Sequence, residues 1–301
     1  MENFTFTGKN GCQIAAAKSV VPQAKGVVQI VHGIAEHKER YEPFCKYLNQ
    51  NGYSVYLHDH RGHGGSRTEK PGYTTEKNGW KVMVDEIRIL SDIIKNENPQ
   101  LPLFLFGHSM GSFLVRTYAI ENSDCLNGLI VCATGGPMPF LSFVGHTVAR
   151  IQKKLIGGKK TAHFINKLSL GGYSKFYGGN NWLSRDRKTI EDYENDELCG
   201  FIPTVALFEN LLYGTRFVNA RKNIARMRKT LPVLLIAGDG DPVGNFGKGV
   251  LKVETLFRQA GMNDVECKIY SEARHELLNE TNKSEVMSDI LNWIELRRET
   301  K

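Results

Sequence analysis

Apolar and polar residues alternate along this chain on two different length scales. Residues 27–31, 55–57, 103–106, 128–132 and 233–237 are short, β-rich apolar runs bounded by Gly, Asn or Pro. Such runs predict strands buried on both faces. Residues 41–51, 80–96, 111–121, 246–260 and 285–296 repeat their apolar positions at helical spacing. Strand and helix signals that alternate in this way predict right-handed βαβ units on a mostly parallel sheet. The opening stretches NFTFTG and QIAAAKSVV predict an antiparallel hairpin at the sheet edge. One interval breaks the rhythm. Residues 135–230 separate two expected strands, whereas a βαβ unit needs only about 30 residues. The surplus predicts a helical cap inserted after the sixth strand, at residues 137–215. Residues 1–136 and 216–301 then form the α/β core.

Composition narrows the class. The 301 residues are 41% hydrophobic and 24% charged, as in a globular protein with a substantial core. The net charge of +7 is spread over residues of both signs. No recognition helix, aromatic-basic alternation or zinc spacing accompanies it, which argues against nucleic acid. Six cysteines form no CxxC pair, and their setting suits reduced thiols. MENFTFTGKNG lacks the basic-then-apolar layout of a signal peptide, so a cytoplasmic location is expected. The basic run RIQKKLIGGKK at 150–160 allows a transient contact with a membrane surface through the cap. The simpler reading of that run is a solvated face. The oligomeric state is not legible.

The candidate chemistry sits in GHSMG, residues 107–111, between an apolar run and a helical one. G-x-S-x-G at a strand-to-helix turn is a nucleophile elbow. The two glycines let the turn tighten, and the helix N-terminus favours negative charge beside Ser109. A serine hydroxyl needs a base, and the base needs an orienting acid. His275 in SEARHELLNE follows a strand-like segment near the C-terminus. GDGDPVG offers Asp239 and Asp241 after the run 233–237. Asp241, further into the loop, is preferred, with Asp239 as the alternative. Two N–H donors are needed for an oxyanion. Met110 follows the nucleophile, and Ile34 lies in HGIAEH after the first core strand.

HGIAEH, HDHRGHGGS (58–66), GHSMGS (107–112), GDGDPV (238–243) and ARHELLNE (273–280) occur in that order. Together they resemble the monoacylglycerol lipase and lysophospholipase-like branch of the serine α/β-hydrolases. NWLSRDRKTIEDYENDELCGF (181–201) is similar to its bacterial members. The resemblance runs from about residue 25 to 295. It implies an α/β-hydrolase fold with Ser109, Asp241 and His275 as triad and Ile34 and Met110 as oxyanion donors. It also implies hydrolysis of a monoacylglycerol, lysophospholipid or related acyl ester, a small-molecule substrate, through an acyl-enzyme. The residues show no metal cluster, so no metal and no cofactor are expected. Ser112 stands where the family usually has glycine, and Glu197 where proline is common. Two rival readings are a peptidase or amidase on the same scaffold and a non-catalytic ligand-binding module. Leu141, Phe143, Val144, Phe176, Tyr177, Leu207 and Phe208 are the apolar cap residues expected to wall an acyl chain.

Overall fold

A computed structural model describes residues 1–67 and 70–298; of Pro139 and Leu141 only the backbone is described. Leu141, expected in the acyl wall, therefore has its side chain outside the described residues.

Eight strands form one sheet: β1 Glu2–Thr7, β2 Gln13–Ser19, β3 Gly26–Val31, β4 Tyr53–His58, β5 Leu103–His108, β6 Gly128–Cys132, β7 Val233–Gly238 and β8 Val265–Tyr270. Their spatial order is β1-β2-β4-β3-β5-β6-β7-β8. β1 and β2 form the antiparallel edge hairpin, and β2 joins β4 antiparallel. Every other pairing is parallel.

The helices are α1 Glu42–Gln50, α2 Gly79–Glu97, α3 Met110–Asn122, α4 Pro139–Ile156, α5 His163–Leu168, α6 Leu170–Tyr177, α7 Arg187–Glu194, α8 Val205–Val218, α9 Arg221–Ile224, α10 Lys248–Gln259 and α11 Lys283–Glu295. Strand side chains alternate between two cores. Val27, Val31, Leu103, Leu105, Val233 and Leu235 meet α2, α3 and α10 on one face. Val28, Ile30, Phe104, Phe106, Leu234 and Ile236 meet α1 and α11 on the other. This is the α/β-hydrolase arrangement, with both faces of a mostly parallel sheet covered by helices.

The insertion after β6 carries α4 to α8. α4 packs along α8, and α8 packs in turn on α2 and α3. Gly214 on α8 lies so close to Trp80 that a Cβ there would fall 2.2 Å from the indole. The last inserted helix is thus fastened to the core, while Leu170, Trp182, Leu183 and Tyr193 of the insertion lie over the ends of β3 and β5. No helix among the described residues is long and apolar enough to cross a membrane.

Candidate active site

Ser109 caps the turn from β5 into α3 at φ 52° and ψ −119°, a conformation costly for a residue with a Cβ. Two glycines make that turn possible. A Cβ on Gly107 would fall 2.5 Å from the Gly111 carbonyl oxygen, and one on Gly111 would fall 2.1 Å from that of Val31. α3 therefore leaves the sheet in direct contact with β3. Ser112 fits at the position where glycine is usual, because its hydroxyl donates to the Ser109 carbonyl at 2.5 Å. Met110 opens α3, so its N–H has no acceptor within the helix and faces the elbow.

The loops after β7 and β8 bring the partners to the serine. His275 Nε2 lies 2.9 Å from Ser109 Oγ. Asp241 Oδ2 lies 3.0 Å from His275 Nδ1. The angle of that second contact is poor, and neither atom has another hydrogen-bond partner. Such contacts tighten when substrate binds. Asp241 is fully buried, and its other oxygen accepts the Val243 N–H at 2.8 Å. Asp239 instead turns outward and accepts the Glu272 N–H at 2.6 Å. The two loops are stitched where Gly240 N–H donates to the Ala273 carbonyl at 2.9 Å.

The cap holds His275 from above. Its N–H donates to the Trp182 carbonyl, and the Glu276 N–H donates to that of Leu183. The imidazole lies between the Trp182 and His108 rings, with centroids 5.1 and 4.9 Å away. Below it, Glu276 takes a bidentate pair from Arg40, both contacts at 2.6 Å. Glu280 is fully buried and accepts the Arg274 N–H at 2.9 Å, which pins the residue before the histidine.

Glu36 organises the other side. It accepts the Gly33 N–H at 2.5 Å and faces His108 Nδ1 at 3.0 Å. Burial opposes its charge, yet His108 and Arg40 outweigh that and hold the carboxyl far below its usual range. Burial likewise opposes a charged His108, and the Glu36 contact raises its pKa nonetheless. The contact ties the loop carrying Ile34 to the end of β5. Gly33 approaches Ser109 so closely that a Cβ would lie 3.1 Å from the serine Cβ. Ile34 borders the same cavity as Ser109. Sequence spacing gives no signal for Glu36 beyond its place inside HGIAEH, because its partners lie on another strand.

A small, partly open cavity lies over the serine, and its apolar wall is Leu170, Trp182, Leu183 and Tyr193. These differ from the residues expected to wall an acyl chain. Leu207 and Phe208 are buried in packing between α8 and its neighbours. Phe143, Val144 and Phe176 are exposed. Tyr177 reaches over to donate to the Gly240 carbonyl at 2.6 Å. An amphipathic pattern marks an apolar stripe but not what the stripe faces.

In the segment HDHRGHGGS, Asp59 and Arg61 serve the loop. Asp59 accepts the Lys38 and Gly65 N–H groups, each at 2.8 Å, and Arg61 pairs with Glu86.

Known proteins resemble this chain in sequence and fold. Residues 22–282 match the family Hydrolase_4, described as serine aminopeptidase, S33. The chain is 28% identical over 275 residues to a monoacylglycerol lipase of Mycolicibacterium smegmatis, covering 90% of this chain and 88% of that one. It is 28% identical over 280 residues to the human monoglyceride lipase, covering 92% and 84%. Among solved structures, a thermostable carboxyl esterase from Bacillus coagulans superposes with a TM-score of 0.88 at 27% identity, over 98% of each chain.

Proposed function

From a chain that belongs to the Hydrolase_4 family of α/β-hydrolases, as an esterase/lipase-family hydrolase, we propose an enzyme that cleaves monoacyl carboxylic esters. Monoacylglycerols, lysophospholipids and related acyl esters are the substrate class. The observation that carries this reading is a Ser109–His275–Asp241 line roofed by an apolar wall.

In this reading Ser109 Oγ attacks the ester carbonyl while His275 Nε2 takes its proton. Asp241, behind the ring, orients His275 and stabilises the imidazolium. The tetrahedral oxyanion receives the N–H groups of Met110 and Ile34. The imidazolium then protonates the departing alcohol. Water, deprotonated by His275, releases the acid from the acyl-enzyme.

The family description names an aminopeptidase, so the amide reading must be weighed on the site itself. An aminopeptidase has to hold a substrate ammonium. The carboxylates bordering this cavity, Glu36 and Glu276, are already paired with His108 and Arg40. That favours a neutral acyl group. We also propose that the outer cap face meets the lipid surface where such substrates reside. Phe140, Leu155, Phe164, Leu168 and Phe176 are exposed there, on helices that also carry Arg150, Lys154 and Lys167.

A panel of nitrophenyl esters, monoacylglycerols, lysophospholipids, triacylglycerols and aminoacyl anilides tests this reading. Each is offered free and, for the lipids, in anionic vesicles. The expected result is ester turnover with kcat/KM rising along the acyl series, by about fourfold per buried methylene. Monoacyl lipids should exceed triacyl ones. Ser109→Ala should lose nearly all turnover, on the order of a 10⁶-fold loss as for nucleophile removal in subtilisin. Anilides cleaved faster than esters, or turnover kept by Ser109→Ala, would overturn it.

A further inference from the structure

His37, Asp196 and Cys199 form a second cluster, separate from the triad. One ligand-type atom from each lies within 4.8 Å of the other two. We propose that these three residues form a binding site for a divalent ion of the zinc class, which clips the cap to the loop carrying Ile34.

The donor set suits that ion. Imidazole nitrogen, thiolate sulfur and carboxylate oxygen together select zinc over calcium or magnesium, which prefer oxygen alone. Zinc bonds of about 2.0–2.3 Å place tetrahedral ligands roughly 3.5 Å apart. His37 Nε2 and Asp196 Oδ2, now 2.7 Å apart, would separate slightly, and the Cys199 sulfur would close on them from within 4.8 Å. The fourth position is left for water.

The surrounding contacts hold the ligands ready. His37 directs Nε2 to Asp196 Oδ2 at 2.7 Å and Nδ1 to Glu39 Oε2 at 2.6 Å. A carboxylate on the far nitrogen is the outer partner that metal-binding histidines carry. Glu39 is held in turn by Lys38 at 2.5 Å. Asp196 accepts the Leu198 N–H with Oδ1 and the Cys199 N–H with its carbonyl, so the chain folds Cys199 back beside it. Cys199 and His37 are buried, and Asp196 is half-buried, which leaves a path for entry.

The charges also agree. Binding displaces the thiol proton of Cys199 and the proton shared by His37 Nε2, and both pass to solvent. A dication then faces one thiolate and one carboxylate, a neutral set. The nearby Arg40 and Lys38 are already paired with carboxylates. The site lies beside the catalytic loop. Gly200 N–H and Tyr193 Oη–H both donate to the Ala35 carbonyl, next to Ile34. An ion here fastens two segments 159 residues apart in the chain.

The test uses the whole chain after EDTA treatment. Cobalt, a spectroscopic stand-in for zinc, should bind at one equivalent with a thiolate-to-cobalt charge-transfer band that zinc abolishes. Zinc in about 100-fold excess over its Kd should raise Tm by several degrees. Cys199→Ser should lose the band, Asp196→Asn should weaken binding, and Glu39→Gln should cost about 10–100-fold in affinity. In the unaltered protein zinc should suppress alkylation of Cys199 and leave Cys12, Cys125 and Cys267 reactive. A band that survives in Cys199→Ser, the absence of any band, or Cys199 alkylation unchanged by zinc would each overturn the proposal. The alkylation measurement decides even if the variants fail to fold.

Discussion

Two aspartates stand two residues apart in GDGDPV and meet different neighbours. Asp241 is sealed behind His275, whereas Asp239 faces outward to a backbone N–H of the next loop. In the proposed mechanism only Asp241 sets the imidazole tautomer. Asp241→Asn should therefore cut kcat by about 10⁴, as the same change does in a serine protease, while Asp239→Asn should change it little. Steady-state kinetics on a nitrophenyl ester check this, and a reversed ranking would assign the acid to Asp239. The order serine, acid, histidine is readable from sequence, because the fold's connectivity dictates it. The choice between the aspartates rests on which carbonyls and amides the loop turns inward, and spacing carries that only weakly. Glu36 and Trp182 escape sequence reading altogether. Their roles depend on contacts with His108 and His275, residues remote in the chain.

The elbow is where an element's geometry depends on a missing side chain. α3 runs against the end of β3, so a methyl on Gly111 would penetrate the Val31 and His32 carbonyls. Backbone must shift to admit it, and the shift moves the segment that leads into Gly33 and Ile34. Gly111→Ala should destabilise by about 1–3 kcal/mol or more and should lower activity beyond what the stability loss explains. Gly145 in α4 is the control. A Cβ there makes only ordinary contact with Leu212, 3.5 Å away. Gly145→Ala should be neutral or stabilise by up to about 1 kcal/mol. Chemical denaturation of both variants checks the contrast, and equal costs would show that the elbow has slack. Strands and core helices are legible at this scale, since burial on two faces writes apolar runs and burial on one writes a 3.6 period. The cap is less so. Its helices have apolar stripes toward α8, toward the cavity and toward solvent, and the sequence pattern of all three is the same.

At the scale of the molecule, neighbouring strands gather titratable groups. β3 and β4 run side by side, and the loops at their C-terminal ends bring His32, His58, His60 and His63 together. All four are buried, and His58 has no partner on either ring nitrogen. Burial lowers each of them, and repulsion from neighbouring imidazoles adds to the fall at His32, His58 and His63: His60 to about 4, His63 to about 3, and His32 and His58 well below their ordinary value. The neighbouring Lys38 and Arg67 push the same way, while Glu36 pushes weakly against. A base depressed in the folded state is neutral in both states above pH 6.5, so its stability is then complete. Below pH 6.5 the unfolded chain takes up protons that the folded chain refuses, and stability falls toward the folded pKa values. The loss is about 1.4 kcal/mol per pH unit for each such group. His108 has the opposite sign: its raised pKa adds stability that is already complete below pH 6.5 and so does not offset the fall. Tm should therefore be highest near pH 6.5, ease above it as the contributions of the raised His108 and His37 are lost, and drop steeply between about pH 6 and 4, before most carboxylates titrate. His58→Phe, which removes the unpartnered imidazole but keeps a ring, should flatten that slope by about one proton. Denaturation followed across pH 4.5–7.5 measures both slopes. A Tm constant over that range, or an unaltered slope in His58→Phe, would mean that water or a local opening already lets these imidazoles charge within the fold.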